Sequence, residues 1–229
     1  MNLVLFGPPG AGKGTQSDNI TKDYNLFKVS TGDLLRDEIK KKTNLGNKIK
    51  ILIDSGKFVS DEIINDLIKK IISNPKNHDR MIFDGYPRNL NQAKTFDILL
   101  NSYNLKIDSV LNLEVDKDIL IKRITGRSVC SKCKKIFNDF FNPPNNNHSC
   151  LPRFLVRRPD DKAHILENRL KTYFDDTFPV LNYYKKKNIL HNISASSDIG
   201  SIYKEIKDLL VSLNHWLWPF NLYKYGFYI

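Results

Sequence analysis

Nine residues near the start of the chain, Gly7-Pro8-Pro9-Gly10-Ala11-Gly12-Lys13-Gly14-Thr15, carry the strongest chemical signal in the sequence. They stand between an apolar run, Leu3–Phe6, and a stretch of helical spacing that begins at Gly14. A glycine-rich segment in that context is a phosphate-binding loop. Its glycines let successive backbone N–H groups turn inward around a phosphate, and the N-terminus of the following helix adds positive potential. Lys13 is placed to reach β- and γ-phosphates, and the Thr15 hydroxyl faces the phosphate and metal region. Gly14 separates the lysine from the hydroxyl residue, so the loop is a variant of the simple GK[ST] ending. It specifies nucleotide binding and is silent on the reaction.

Two further segments put cations where strands end. Asp84-Gly85-Tyr86-Pro87-Arg88 follows the apolar run Arg80–Phe83, and open α/β sheets bind ligands at the carboxyl ends of their strands. Arg88 there can fork onto phosphate oxygens, and Asp84 can hold Mg²⁺ through water. Ser30-Thr31-Gly32-Asp33-Leu34-Leu35-Arg36 closes the preceding run in the same way and offers Arg36. Two such ends beside a phosphate loop imply a second anionic ligand.

The three cysteines are clustered. Cys130-Ser131-Lys132-Cys133 and Cys150 occupy three positions of a Cys-x₂-Cys…Cys-x₂-Cys zinc pattern. The fourth position falls on Arg153, which cannot ligate, and structural zinc takes four closed ligands. His148 is a substitute only two residues before Cys150. Zinc on this set and a metal-free remnant both stay open, and the expectation is zinc that is weak or absent.

These residues need a scaffold. Leu3–Phe6, Leu26–Val29, Arg80–Phe83, Ser109–Leu113 and Ile189–Ile193 read as buried strands. Between and after them lie helical patterns at Gly14–Lys22, Ser60–Ser73, Leu90–Ser102, Lys117–Thr125, Leu166–Lys187 and Ile199–Leu213. The alternation predicts an α/β fold, a parallel sheet of five strands flanked by helices. Two stretches break it and read as insertions at the ligand edge: 30–59, with two helical patterns and no strand, and 126–158, polar and helix-poor. The core is then 1–29, 60–125 and 159–213, and an aromatic extension of unreadable function occupies 214–229.

Length and charge narrow the classes. The 229 residues allow one substantial core with insertions, and no apolar run approaches the ~20 residues that span a bilayer. The first residues lack a signal-peptide pattern, so the expected compartment is cytoplasmic. The net charge of +11 fits a lysine-rich surface and phosphate ligands; nucleic-acid binding by a zinc-ribbon module would leave the phosphate loop unexplained.

Taken together, the loop variant, Ser30–Arg36, Asp84–Arg88 with Gln92, and Arg123-Ile124-Thr125-Gly126-Arg127 resemble the adenylate kinase family. Arg158-Pro159-Asp160-Asp161 and Arg169-Leu170 extend the resemblance, in order, over about residues 1 to 212 and toward the long-lid, bacterial-type branch. The resemblance implies a P-loop kinase fold with an AMP-binding insertion and a lid. It implies AMP contacts from Thr31, Arg36, Lys57, Phe58 and Val59, from Gly85, Tyr86, Pro87 and Arg88, and from Gln92. It implies ATP at Gly10–Thr15 (Gly10, Ala11, Gly12, Lys13, Gly14, Thr15), Arg123, Arg127 and Ser197, with Arg158 and Arg169 reaching the transferring group. Lys13, Arg88, Arg123, Arg158 and Arg169 would be the catalytic set, Mg²⁺ would come with ATP, and the partners would be small-molecule nucleotides met by a monomer without nucleic acid or membrane. Gln92 suits an adenine acceptor, since its amide matches the adenine amino group and adjacent ring nitrogen. Another nucleoside monophosphate kinase, or a GTP:AMP phosphotransferase, stays open as the alternative.

Overall fold

The computed structural model describes residues 1–55, 59–144, 148, 150–158, 161 and 163–214. Lys57, Phe58 and the aromatic extension past Asn214 lie outside the described residues. Five strands, β1 (Leu3–Phe6), β2 (Phe27–Ser30), β3 (Met81–Asp84), β4 (Ser109–Glu114) and β8 (Leu190–Ser194), form one sheet in the order β2-β3-β1-β4-β8, with every pair parallel. The chain builds outward from β1 first to one side and then to the other. That reversal opens a crevice at the carboxyl end of β1, where the glycine loop lies.

Period-2 alternation divides the core between the two faces of the sheet. Val4, Phe6, Val110 and Phe83 pack on one side with Ile64, Ile68 and Ile72 of α4 (Asp61–Ile72) and Phe96 of α5 (Leu90–Asn101). Leu3, Leu5, Leu111 and Leu113 pack on the other with Ile20 of α1 (Lys13–Tyr24) and Ile202, Ile206 and Leu210 of α9 (Ile199–Asn214). Helix α4 also satisfies its dipole, with Asp61 and Glu62 in its first turn and Lys69 and Lys70 in its last.

Both expected insertions have structure of their own. The first carries α2 (Thr31–Lys40), capped by the Ser30 hydroxyl accepting from Asp33 N–H, and α3 (Asn44–Asp54), capped by Thr43. The second, which follows α6 (Lys117–Thr125), is a small antiparallel sheet of β5 (Arg127–Cys130), β6 (Ile136–Asn138) and β7 (Leu155–Val156), in the order β6-β5-β7.

The single helix expected over Leu166–Lys187 is interrupted. Helix α7 (Ala163–Thr172) passes through a π-helical turn, Tyr173–Thr177, into α8 (Phe178–Lys186). Pro179 explains part of this, because it has no N–H to give the Asp175 carbonyl four residues back. The π turn buries Tyr173 and Thr177 and sets both on the wall of the main cavity.

Phe96 is fully buried between Phe83 and Tyr86, with edge-on ring contacts of 4.7 and 5.0 Å. Phe96→Ala is expected to lose about 3–5 kcal/mol of stability, read as a lower denaturant midpoint with an unchanged slope. A loss below about 1 kcal/mol would contradict this account of the core.

Candidate active site

The phosphate loop gains its shape from backbone that only glycine adopts easily. Gly12 caps α1 at φ +95°, and a Cβ there would meet nothing within 4 Å, so its side is open toward the cavity. Lys13 Nζ folds back over the loop and donates to Gly7 O at 2.6 Å and Pro8 O at 3.0 Å. Gly10, Ala11, Gly12, Gly14 and Thr15 line the same cavity, and Asp84 lies near Gly14 at the end of β3.

The second strand end meets this one across a shared cavity of about 970 Å³. Thr31 Oγ1 donates to Gly85 O at 2.9 Å, and Arg88 Nε donates to the same carbonyl at 2.7 Å. Gly85 sits at φ +79°, and a Cβ there would stand 3.0 Å from an Arg88 nitrogen and 3.1 Å from Thr31 Oγ1. Arg88 is anchored from behind as well, since Thr177 Oγ1 donates to its carbonyl at 2.8 Å. Arg36 bonds Asp33 at 2.7 Å and, with Leu35, Val59 and Pro87, closes this end. Tyr86 turns the other way. It packs at 1% exposure against Phe96 and donates its hydroxyl to Asn65 at 2.8 Å. Gln92 faces the cavity while its amide accepts from Arg88 N–H and donates to Asp61, both at 2.7 Å.

Three more arginines line the cavity from β5, from the segment after β7 and from α7. Arg127 forks onto the Asp161 carboxylate through Nε and Nη2, and Arg169 Nη1 reaches the same carboxylate at 3.4 Å. Asp161, 4% exposed, ties the first residue of β5 to α7. Arg158 lines the same cavity. Arg123 differs from the other four members of its expected group. Its guanidinium donates to Ala195 O at 2.7 Å and Ser197 O at 3.0 Å, with its carbon 5.6 Å from the Phe141 ring centroid. It holds the loop between β8 and α9.

Asp161, Thr177, Ile136 and Phe141 escaped the sequence reading as individual wall or support residues. Asp161 at least carried a signal, as an acidic residue in the arginine motif at 158–161. Thr177 carried none, because its position depends on the π turn.

The cysteine cluster includes the substitute donor that the sequence offers. A fourth donor is present: Sγ of Cys130, Cys133 and Cys150 and a ring nitrogen of His148 all lie within 4.8 Å of one another. Cys133 Sγ is 3.4 Å from His148 Nε2. His148 is stacked edge-on against Phe137 with centroids 4.6 Å apart, while Arg153 turns away onto the Phe154 ring. Burial opposes ionisation of Cys130, yet hydrogen bonds from Cys133, the Lys132 backbone and His148 outweigh it and bring the thiol down to about 6.

Two anion pockets that face each other across one cavity, the first built on a P-loop at the switch point of a parallel sheet, define a P-loop phosphotransferase of the nucleotide-kinase class. Residues 5–189 match the family model described as adenylate kinase. An adenylate kinase of Pelagibacter ubique (strain HTCC1062) is 47% identical over 211 residues, which cover 92% of this chain and 99% of that protein. Those of Listeria monocytogenes serotype 4b (strain CLIP80459) and Archaeoglobus fulgidus are 39% and 38% identical, covering 93% and 92% of this chain and 100% and 98% of theirs. The chain belongs to the adenylate kinase family, whose reaction is the reversible transfer ATP + AMP ⇌ 2 ADP.

Burial lowers the Lys13 ammonium to about 8 from 10.5; Asp84 opposes that shift, and the nearby Arg88, Arg169 and Arg127 add to it. Between those two pH values the unfolded chain binds the proton and the folded chain does not, so this lysine makes stability rise with pH across the window. An incoming polyphosphate reverses the shift. ATP binding at about pH 8.5 is therefore expected to take up a proton, read by calorimetry in two buffers of different ionisation enthalpy. Lys13→Met should abolish the uptake, and uptake that survives it would assign the proton elsewhere.

Proposed function

We propose that ATP occupies the P-loop side of the cavity and AMP the Gly85–Arg88 side, with in-line transfer between them. The observation that carries this reading is the convergence of Lys13, Arg88, Arg158 and Arg169 on one cavity from both strand ends and the lid. Like-charged phosphates repel, and cations fixed in advance lower the barrier by holding donor and acceptor in line and by meeting charge as it develops. No side-chain nucleophile is needed for such a transfer. Asp84 and the Thr15 hydroxyl offer hard oxygens at the P-loop and would hold Mg²⁺ through its waters; the ion would neutralise phosphate charge there. Arg123 belongs to the donor-base end, where it fixes the Ser197 loop. Leu35, Val59 and Gln92 form the acceptor-base wall.

Initial rates with AMP, GMP, CMP and UMP, each with ATP or GTP, test the assignment, and AMP with ATP should lead. Lys13→Met, Arg88→Ala and Arg158→Ala should each lower kcat by ~10²–10³ with the fold intact. Gln92→Ala should raise KM for AMP and spare KM for ATP. Near-normal kcat in all three charge variants would refute this site.

We infer further that the lid binds zinc through Cys130, Cys133, His148 and Cys150. A Cys₃His set is a closed structural site, and the low Cys130 pKa suits a thiolate ligand. The metal would stabilise the lid and take no part in transfer. Purified protein should contain one zinc per chain, and His148→Ala should lose it with a lowered melting temperature. Full zinc in that variant would overturn the assignment of His148.

A further inference from the structure

Gln92 is held in one of two orientations that an amide can take, and the group that holds it stands outside the cavity. Its oxygen accepts from Arg88 N–H at 2.7 Å, and its nitrogen donates to Asp61 Oδ1 at 2.7 Å. Asp61 opens α4 and does not line the cavity. Among the described residues its carboxylate collects side-chain amide donors: Asn89 Nδ2 at 2.9 and 3.1 Å, Asn91 Nδ2 at 3.1 Å, and Gln92. Asn89 is itself oriented, because its oxygen caps α5 by accepting from Gln92 N–H at 2.8 Å.

An amide has two N–H donors and an oxygen with two lone pairs. One of each is used here, which leaves one N–H and one lone pair for the cavity. In that orientation the oxygen accepts from an exocyclic amine and the N–H donates to a ring nitrogen, the pattern of adenine. A purine with oxygen at C6 and a proton on N1 needs the amide reversed. Reversal would set the Gln92 oxygen against the Asp61 carboxylate and its NH₂ against Arg88 N–H. Both contacts would then be repulsive and would leave buried polar groups unpaired.

We propose that Asp61 is a positioning residue that locks the Gln92 amide and thereby makes the acceptor site reject 6-oxopurine monophosphates. The inference rests on the reading of Gln92 as the acceptor-base contact. Asparagine at position 61 can turn either its oxygen or its nitrogen toward Gln92, so it removes the lock while keeping shape.

The test compares kcat/KM for AMP and IMP, which differ at the edge in question, in the intact protein and in Asp61→Asn, Asp61→Ser and Gln92→Ala. Carrying two Asp61 variants keeps the test alive if one fails to fold, and thermal melting with KM for ATP checks each. The AMP-over-IMP preference should fall roughly 10- to 100-fold in a folded Asp61 variant, with KM for ATP unchanged. In the double variant Asp61→Asn/Gln92→Ala the Asp61 change should add nothing further, because Asp61 acts through Gln92. If Gln92→Ala loses the preference and the Asp61 variants keep it, the lock is refuted and the Gln92 reading stands. If Gln92→Ala keeps the preference, both fall.

Discussion

Positive charge crowded into a small, partly dry space is the constraint that the rest of the molecule answers. Lys13, Arg88, Arg127 and Arg169 lie close enough that the three guanidinium groups help to depress the lysine. Left alone, such a cluster would open the fold. The protein offsets it with carboxylates placed off the cavity floor or at its edge, Asp84 beside Lys13 and Asp161 beneath Arg127 and Arg169. It also uses carbonyls, which take the Lys13 ammonium and one edge of Arg88. These contacts orient the cations without cancelling their charge. The positive field over the cavity suits the phosphates of two nucleotides, the role proposed for it above.

Rigid and composite parts divide this work. Residues on the sheet, the P-loop and the Gly85 turn, depend on strands whose side chains are almost wholly buried. Arg36, Arg127 and Arg158 depend instead on the two segments that break the strand–helix alternation. Asp161 ties β5 to α7 by bonding Arg127 of the one and Arg169 of the other. A carboxylate at that junction makes the position of β5 sensitive to α7, and hence to whatever α7 touches.

Much of this was legible in the residues. All five sheet strands were expected within a residue or so of their observed ends, because each is a short apolar run bounded by turn chemistry. The P-loop and the two strand-end arginines were legible for the same reason: their chemistry is local and contiguous. Contacts between distant segments were not. The sequence offers His148 as a substitute ligand, but its off-pattern spacing leaves the choice open; its place beside the three sulfurs emerges only in the folded chain, where Phe137 of β6 packs against its ring. Tyr86 reads like its cavity-lining neighbours Gly85 and Pro87, yet a turn that reverses direction sends its ring into the core. Arg123 reads as one more phosphate cation; only the folded chain shows that its guanidinium, while lining the cavity, bonds the carbonyls of Ala195 and Ser197.

The π turn at Tyr173–Thr177 acts as a phase shifter between two helices that serve different masters. An α-helix advances about 100° per residue, so one additional residue in the turn rotates everything downstream by nearly a third of a revolution. Upstream, α7 aims Arg169 at the cavity; downstream, α8 aims Val180, Leu181 and Tyr184 at the sheet. An uninterrupted helix could satisfy one of these bearings and would miss the other. The turn lets a single rod point two ways, and it makes this stretch intolerant of any change in length, however conservative the residues around it.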